Sequence, residues 1–358
     1  YKECEKFVAR AKDLAMQYER FYYWFELLSW EKKLMEEAFE AGEFGRDLDE
    51  LVEEETIVID RLRNLAEYQI IYSKINLIFR SGGFARNLQE RELVEDIENY
   101  HLIKGKNTAI STRAASMCYY IKGLCAATNR NYGDAFTFFN KVMTILDNNP
   151  KIKEDSPQRY LMTLCHLSRC HMENKDFQRA KELISDIREL GKEKGFDSTD
   201  IEVKIFTNSS NLEIKWLQLN GAFDEAVKLM DEIEVFYNDY DDKINKEQKV
   251  LFHYNKAYSY FGDGNFKKAL ASLNMVLNDN EQNLRQDIYS FARIFNLILH
   301  YELGNYDFLE YSIKSTNRYL NKQARTLTLE STLVKYLRKL SKMIPEDDKA
   351  RYVVELKA

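Results

Sequence analysis

"YNKAYSYFGDGNFKKALASLNMVL", residues 254–277, places a Gly-Asp-Gly-Asn core between two apolar-periodic runs. Three readings compete for that core: a phosphate-cradling loop, a metal loop, or the corner between two helices. A dinucleotide fingerprint needs G-x-G-x-x-G between a strand and a helix. Gly262 and Gly264 supply the first two glycines, but Lys267 occupies the third place. The preceding "VLFHYNKAYSYF" has no strand alternation; its apolar residues recur at helical spacing. The core therefore reads as a helix–helix corner.

The corner recurs. "YYIKGLCAATNRNYGDAFTFFNKVM" (119–143), "LCHLSRCHMENKDFQRAKELISDI" (164–187), "NLEIKWLQLNGAFDEAVKLMDEI" (211–233) and "FNLILHYELGNYDFLEYSIKST" (295–316) share its order of parts. Each has an apolar 3.6-period run, a short polar corner, one aromatic, then a second periodic run. The corner aromatics are Tyr132, Phe177, Phe223, Phe266 and Tyr306, at intervals of 45, 46, 43 and 40 residues. Three residues beyond the first four stand Ala135, Ala180, Ala226 and Ala269, small enough to let two helices approach. Four residues further stand Phe139, Ile184, Met230 and Leu273, on the same helix face, to fill the space between units. Gly221, Gly264 and Gly304 are suited to a positive φ that ends the first helix. Each unit is thus an antiparallel helix pair that cannot bury its apolar face alone, and stacking supplies the missing cover.

This pattern resembles the tetratricopeptide repeat. Tyr119, Gly123, Tyr132, Ala135 and Phe139 match it, as do Ala257, Tyr260, Gly264, Phe266, Ala269 and Leu273. Ile214 and Leu297 depart from it where a small residue belongs, and Leu309 replaces the Ala. The period exceeds the family's usual one, so longer helices are expected. The resemblance covers residues 112–320 and implies an all-α fold, a right-handed superhelical solenoid of stacked antiparallel pairs. Residues 1–100 form an irregular helical region, 101–322 the array of five pairs, and 323–358 capping helices.

Within the first region, "FVARAKDLAMQYERFYYWFELLSWEKKLMEEAF" reads as continuously helical. Phe21, Trp24, Phe25 and Leu28 make its apolar stripe, and Tyr22 and Tyr23 widen it enough to predict packing on most sides. "GEFG" at 42–45 breaks the run, and a second helix is expected from Leu48 to Arg80. Gly82-Gly83-Phe84 reads as a degenerate corner, "ARTLTLESTLVKYLRKLSKM" as a closing helix, and Pro345 as the start of a short last one.

Composition supports a helical chain. Only 3 Pro and 13 Gly occur in 358 residues, too few to punctuate many strands and turns. The net charge of −6 is uneven: residues 1–100 carry 14 Lys and Arg against 23 Asp and Glu. No part is basic enough for phosphate-driven nucleic-acid binding. Five Cys, odd in number and without a C-x-x-C pair, imply reduced thiols and a cytoplasmic-type compartment. No run is long and apolar enough for a membrane span, and no signal peptide opens the sequence. The chain begins at Tyr1 rather than Met, so an upstream segment is expected.

Candidate chemistry is thin. Cys165, His166, Cys170 and His171 offer four ligands of two types in seven residues, but at about 100° per residue they spread around a helix and cannot converge. Asp239, Asp241 and Asp242 lack the Gly and Glu of a calcium loop, since Ile244 and Val250 stand at those places. The five His are scattered, and neither G-x-S-x-G nor H-E-x-x-H occurs. The reading is a non-enzyme without a cofactor or metal.

The resemblance implies a concave groove lined by the first helix of each pair, where a peptide or protein partner binds. At the matching positions stand His166 and Arg169 in the second unit, and Asn208, Asn211 and Lys215 in the third. Tyr254, Asn255, Tyr258 and Phe261 follow in the fourth, and Tyr301 in the fifth. The polar middle suits a peptide backbone and acidic groups, and the aromatic end an apolar anchor. The two-carboxylate clamp of chaperone-tail binders is not expected, because Tyr120 and Leu124 occupy its Lys and Asn places. The long period also resembles the ligand-sensing parts of bacterial peptide-responsive regulators, the alternative reading.

Overall fold

A computed structural model of the chain describes residues 2–40, 48–80, 83–85, 87–279, 285–322 and 328–340. Among them the regular elements are helices, with no strand. They fall into two compact units: Tyr1–Leu77, Val94–Asn174 and Glu189–Ile201 in one, Ile78–Leu93, Lys175–Arg188 and Glu202–Ala358 in the other. Calls on 42–45, Gly82 and Pro345 lie outside the described residues.

The first unit is built from α1 (Lys2–Gln17), α2 (Phe21–Glu40), α3 (Leu48–Arg80), α4 (Leu88–Asn99, shared between the units), α5 (His101–Lys104), α6 (Thr112–Thr128), α7 (Tyr132–Asp147), α8 (Pro150–Glu154) and α9 (Pro157–Glu173). Helices adjacent in the chain pack together, α1 on α2 and α6 on α7, and α7 packs on α9 past the short α8. The second unit holds α10 (Phe177–Glu189), α11 (Thr199–Leu219), α12 (Phe223–Asp239), α13 (Lys246–Gly262), α14 (Phe266–Leu277), α15 (Gln286–Glu302), α16 (Tyr306–Lys322) and α17 (Thr328–Leu340). There α12 through α17 pack each on the next, and α13 also meets α15. The long period is partly absorbed in connections, through α8 and the 3-10 turn Leu190–Lys192.

The repeated corner has one construction. Gly221, Gly264 and Gly304 take φ of 73°, 80° and 73°, and their N–H groups close the last turn on Gln218, Phe261 and Tyr301. The next residue's N–H reaches one residue further back, as from Asn265 to Tyr260. Arg130 and Lys175 adopt the same left-handed backbone without being glycine, at φ of 59° and 61°. That conformation costs an L-residue about 1–2 kcal/mol. The following helix is then capped by side chains: Asn131, Asp176 and Asn265 accept from the N–H groups of Asp134, Arg179 and Lys268.

The small-then-large pairs fill the cores. Ala135, Ala180, Ala226, Ala269 and Leu309 are completely buried, and so are Phe139, Met230 and Leu273. Gly123 is required by its surroundings, since a Cβ there would lie 2.6 Å from the Phe139 ring. Gly262, in the stretch quoted above, plays the same part toward the preceding pair. A Cβ on it would lie 2.2 Å from Phe223, the corner aromatic that begins α12.

Residues 7–39 do not form one helix, contrary to the sequence expectation. The chain turns at 18–20, where Glu19 takes φ 47° and the N–H groups of Glu19 and Arg20 cap α1 on Met16 and Ala15. No Gly or Pro marks this break. Phe21, Trp24 and Leu28 are buried as predicted, but Tyr22 and Tyr23 are 64% and 57% exposed, so α2 is covered on one side rather than most.

Candidate functional site

Three neighbouring first helices of the second unit, α11, α13 and α15, carry eight of the predicted binding residues. Asn211 and Lys215 lie one turn apart on α11, as do Asn255 and Tyr258 on α13. A ladder of amides joins the two helices. Asn211 Nδ2 donates to Gln248 Oε1 at 2.8 Å, and Asn255 Nδ2 donates to Asn211 Oδ1 at 3.4 Å. Further along, Gln218 Nε2 donates to Ser259 Oγ at 3.0 Å and to the Asn255 carbonyl at 3.2 Å. Beside the ladder, Lys215 is exposed and makes no ion pair among the described residues. Tyr258 is 40% exposed.

The aromatic end is mostly packed. Tyr254, Tyr258 and Phe261 surround Phe295 of α15, with ring centroids 6.3, 6.1 and 5.2 Å away. Tyr301 meets Tyr306 edge-on at 5.9 Å. Asn208 is buried, and its amide is spent on the Lys204 carbonyl of its own helix at 2.8 Å.

His166 and Arg169 belong to the first unit. His166 is buried, shares a 3.1 Å hydrogen bond with the Tyr120 hydroxyl, and stacks on Phe139 with centroids 4.8 Å apart. Arg169 is half-buried beside it. Burial, with a smaller push from Arg169, holds His166 well below the usual histidine range, so it is neutral at physiological pH. In the unfolded chain it titrates near 6.5. Below that pH the unfolded state binds the extra proton, so this contribution to stability is complete above about 6.5 and is lost as pH falls toward the folded value. His253 and His300 are lowered by burial in the same sense. Urea midpoints measured between pH 7.5 and 5 are therefore expected to fall, by up to about 1.4 kcal/mol per pH unit for His166 alone. His166→Gln is expected to flatten that slope, and an unchanged slope would remove His166 as its source.

The remaining Cys and His of the tempting quartet diverge. His171 lies edge-on to Phe136 at 5.1 Å, while Cys165 and Cys170 are buried. Burial pushes their thiols up to about 12 and about 11, so they are protonated and weakly nucleophilic at physiological pH. Among the described residues no group of three or more His, Cys, Asp or Glu could hold a metal ion. No helix among them is long and apolar enough to cross a membrane.

The sequence reading missed Arg159, on the first turn of α9. Its guanidinium carbon lies 5.1 Å from the Tyr120 ring centroid and 5.6 Å from that of Tyr72. Tyr120 thus touches both Arg159 and His166, residues one face of α9 apart in sequence by two turns. The spacing Arg159, His166 was the available signal.

No protein-family model matches the chain, and no curated protein matches it.

Proposed function

We propose that the chain is a non-catalytic binding module of tetratricopeptide-like stacked helix pairs, whose first helices receive a peptide or protein partner. The observation that supports this reading is the α11–α13 face. Asn211 and Asn255 are bonded to each other there, Lys215 makes no ion pair among the described residues, and Tyr258 is 40% exposed. Paired amides offer donors and acceptors to an extended backbone, a free ammonium offers charge to an acidic side chain, and an exposed ring offers apolar area. All sit on packed helices, so binding orders little of the protein.

The test is selection of peptides from a displayed random library on the whole chain, repeated with the Lys215→Glu, Tyr258→Ala double variant. Capture is expected to fall at least tenfold in the variant, with enrichment of acidic and apolar residues in the wild-type selection. Helicity should be unchanged in the double variant, and Lys215→Glu alone, which removes no packing, should leave melting unchanged as well. Equal capture by both proteins would reject this face.

A further inference from the structure

In the first unit the Arg159 guanidinium lies against two tyrosine rings and, among the described residues, makes no ion pair. Arg159 Nη1 is shut off from solvent and has no hydrogen-bond partner. The titratable groups that act on Arg159 are Tyr120, Tyr72 and Arg113, and those acting on Tyr120 add Cys165 and Arg169. The nearby acids are already engaged. Asp155 pairs with Arg113 and Arg20, and Glu19 accepts from the N–H groups of Thr112 and Arg113. Each nitrogen of the Arg113 guanidinium is engaged, since it donates also to Ser156 Oγ and the Tyr18 carbonyl.

A buried cation without a counter-charge is costly, and replacing it by an apolar residue of similar volume is often neutral or stabilising. The stacking of Arg159 on two tyrosines offsets part of that cost but satisfies none of its in-plane donors. Burial also pulls its pKa down, the sign expected for a guanidinium short of acceptors. The residue as a whole keeps partial exposure, although Nη1 is covered. The guanidinium fork matches a planar or tetrahedral oxyanion with two parallel N–H···O bonds. Arg169, further along α9, adds positive potential on the same tyrosine.

We infer that Arg159, backed by Tyr72 and Tyr120, anchors an oxyanion-binding site in the first unit that takes the carboxylate or phosphate group of a ligand. The inference stands on residues of the first unit and does not depend on the reading of the α11–α13 face.

The experiment uses the full chain in chloride buffer at fixed ionic strength. Thermal midpoints are measured with inorganic phosphate, with a mixed tripeptide pool bearing free C-terminal carboxylates, and with the same pool C-amidated. The wild-type midpoint is expected to rise by a few degrees with phosphate or with the free-carboxylate pool, as binding to the folded state requires. Whichever of the two acts identifies the group. Arg159→Met should lose the rise while melting no lower than wild type without ligand, because it removes an unbalanced charge and keeps bulk. Arg159→Lys, which keeps the charge but not the fork, should bind at least tenfold more weakly. The inference is overturned if neither anion moves the wild-type midpoint, if the amidated pool acts as well as the free one and phosphate does nothing, or if Arg159→Lys and wild type respond alike. Lys215→Glu leaves this response intact if the two sites are distinct, and its loss in that variant would overturn the placement.

Discussion

Phe139→Ala is expected to destabilise the first unit by about 3–5 kcal/mol, the range for truncating a fully buried aromatic. Phe139 is 0% exposed and fills the gap that Gly123 leaves on the facing helix. It also stacks on His166 and meets Tyr120 edge-on at 5.7 Å, so one ring joins α6, α7 and α9. Neither Gly123 nor Ala135 has side-chain volume to collapse into the cavity. The adjacent Phe138 is a useful control, since it is only half-buried and stacks on Tyr119 alone among described rings, at 6.4 Å. Phe138→Ala should cost less than half as much in urea denaturation. A loss below about 1 kcal/mol for Phe139→Ala would mean that the three helices do not close on that ring.

Gly262→Val should cost about 2–3 kcal/mol, at the upper end for an overpacked core. The obstructing atoms are not the tip of a flexible chain. The added Cβ would lie 2.2 Å from Phe223 Cδ1 and 2.3 Å from its Cγ, at the root of the ring. Relief requires the ring to leave its rotamer or α12 and α13 to separate. Any gain in helix propensity is small, because Gly262 is the last residue of α13 and a glycine-to-alanine gain is about 1 kcal/mol even mid-helix. Phe223→Leu should recover much of the loss, and a double-mutant cycle measures the coupling. Additive effects of the two substitutions would show that they do not touch.

The helix pairs were legible because each corner repeats a short-range code. An aromatic, then Ala135, Ala180, Ala226 or Ala269, then a large apolar residue one turn on, describes a face that needs no tertiary information. Gly264 was legible too, but its reason was only half visible. Its φ of 80° follows from the corner, whereas Gly262 is fixed by Phe223, 39 residues earlier, through packing that local pattern does not encode. The turn at Glu19 was hidden because a charged residue carries the left-handed backbone there, against propensity, whereas the corners at Arg130 and Lys175 were read from the repeat although charged residues carry the same backbone.

Burial of the candidate residues was the least readable part. His166 and Arg169 stand three apart on α9, which places them near one face. Which of them is covered depends on Tyr120 and Phe139, contributed by other helices. Arg159 looked like an ordinary charge after Pro157. Only the two tyrosines brought over it, and the acids spent elsewhere, distinguish it from a solvated arginine.

The turn at Glu19 also bears on where this chain can be cut. Its carboxylate receives the first N–H groups of α6, and the Tyr18 carbonyl beside it receives Arg113. The helix that opens the first clear repeat is therefore begun, in part, by residues more than ninety positions upstream. A fragment trimmed to the repeats, starting at residue 101, would leave those amides bare and a half-buried arginine with one carboxylate instead of two. The irregular N-terminal helices are the end-piece of the first pair, and a workable excision keeps them.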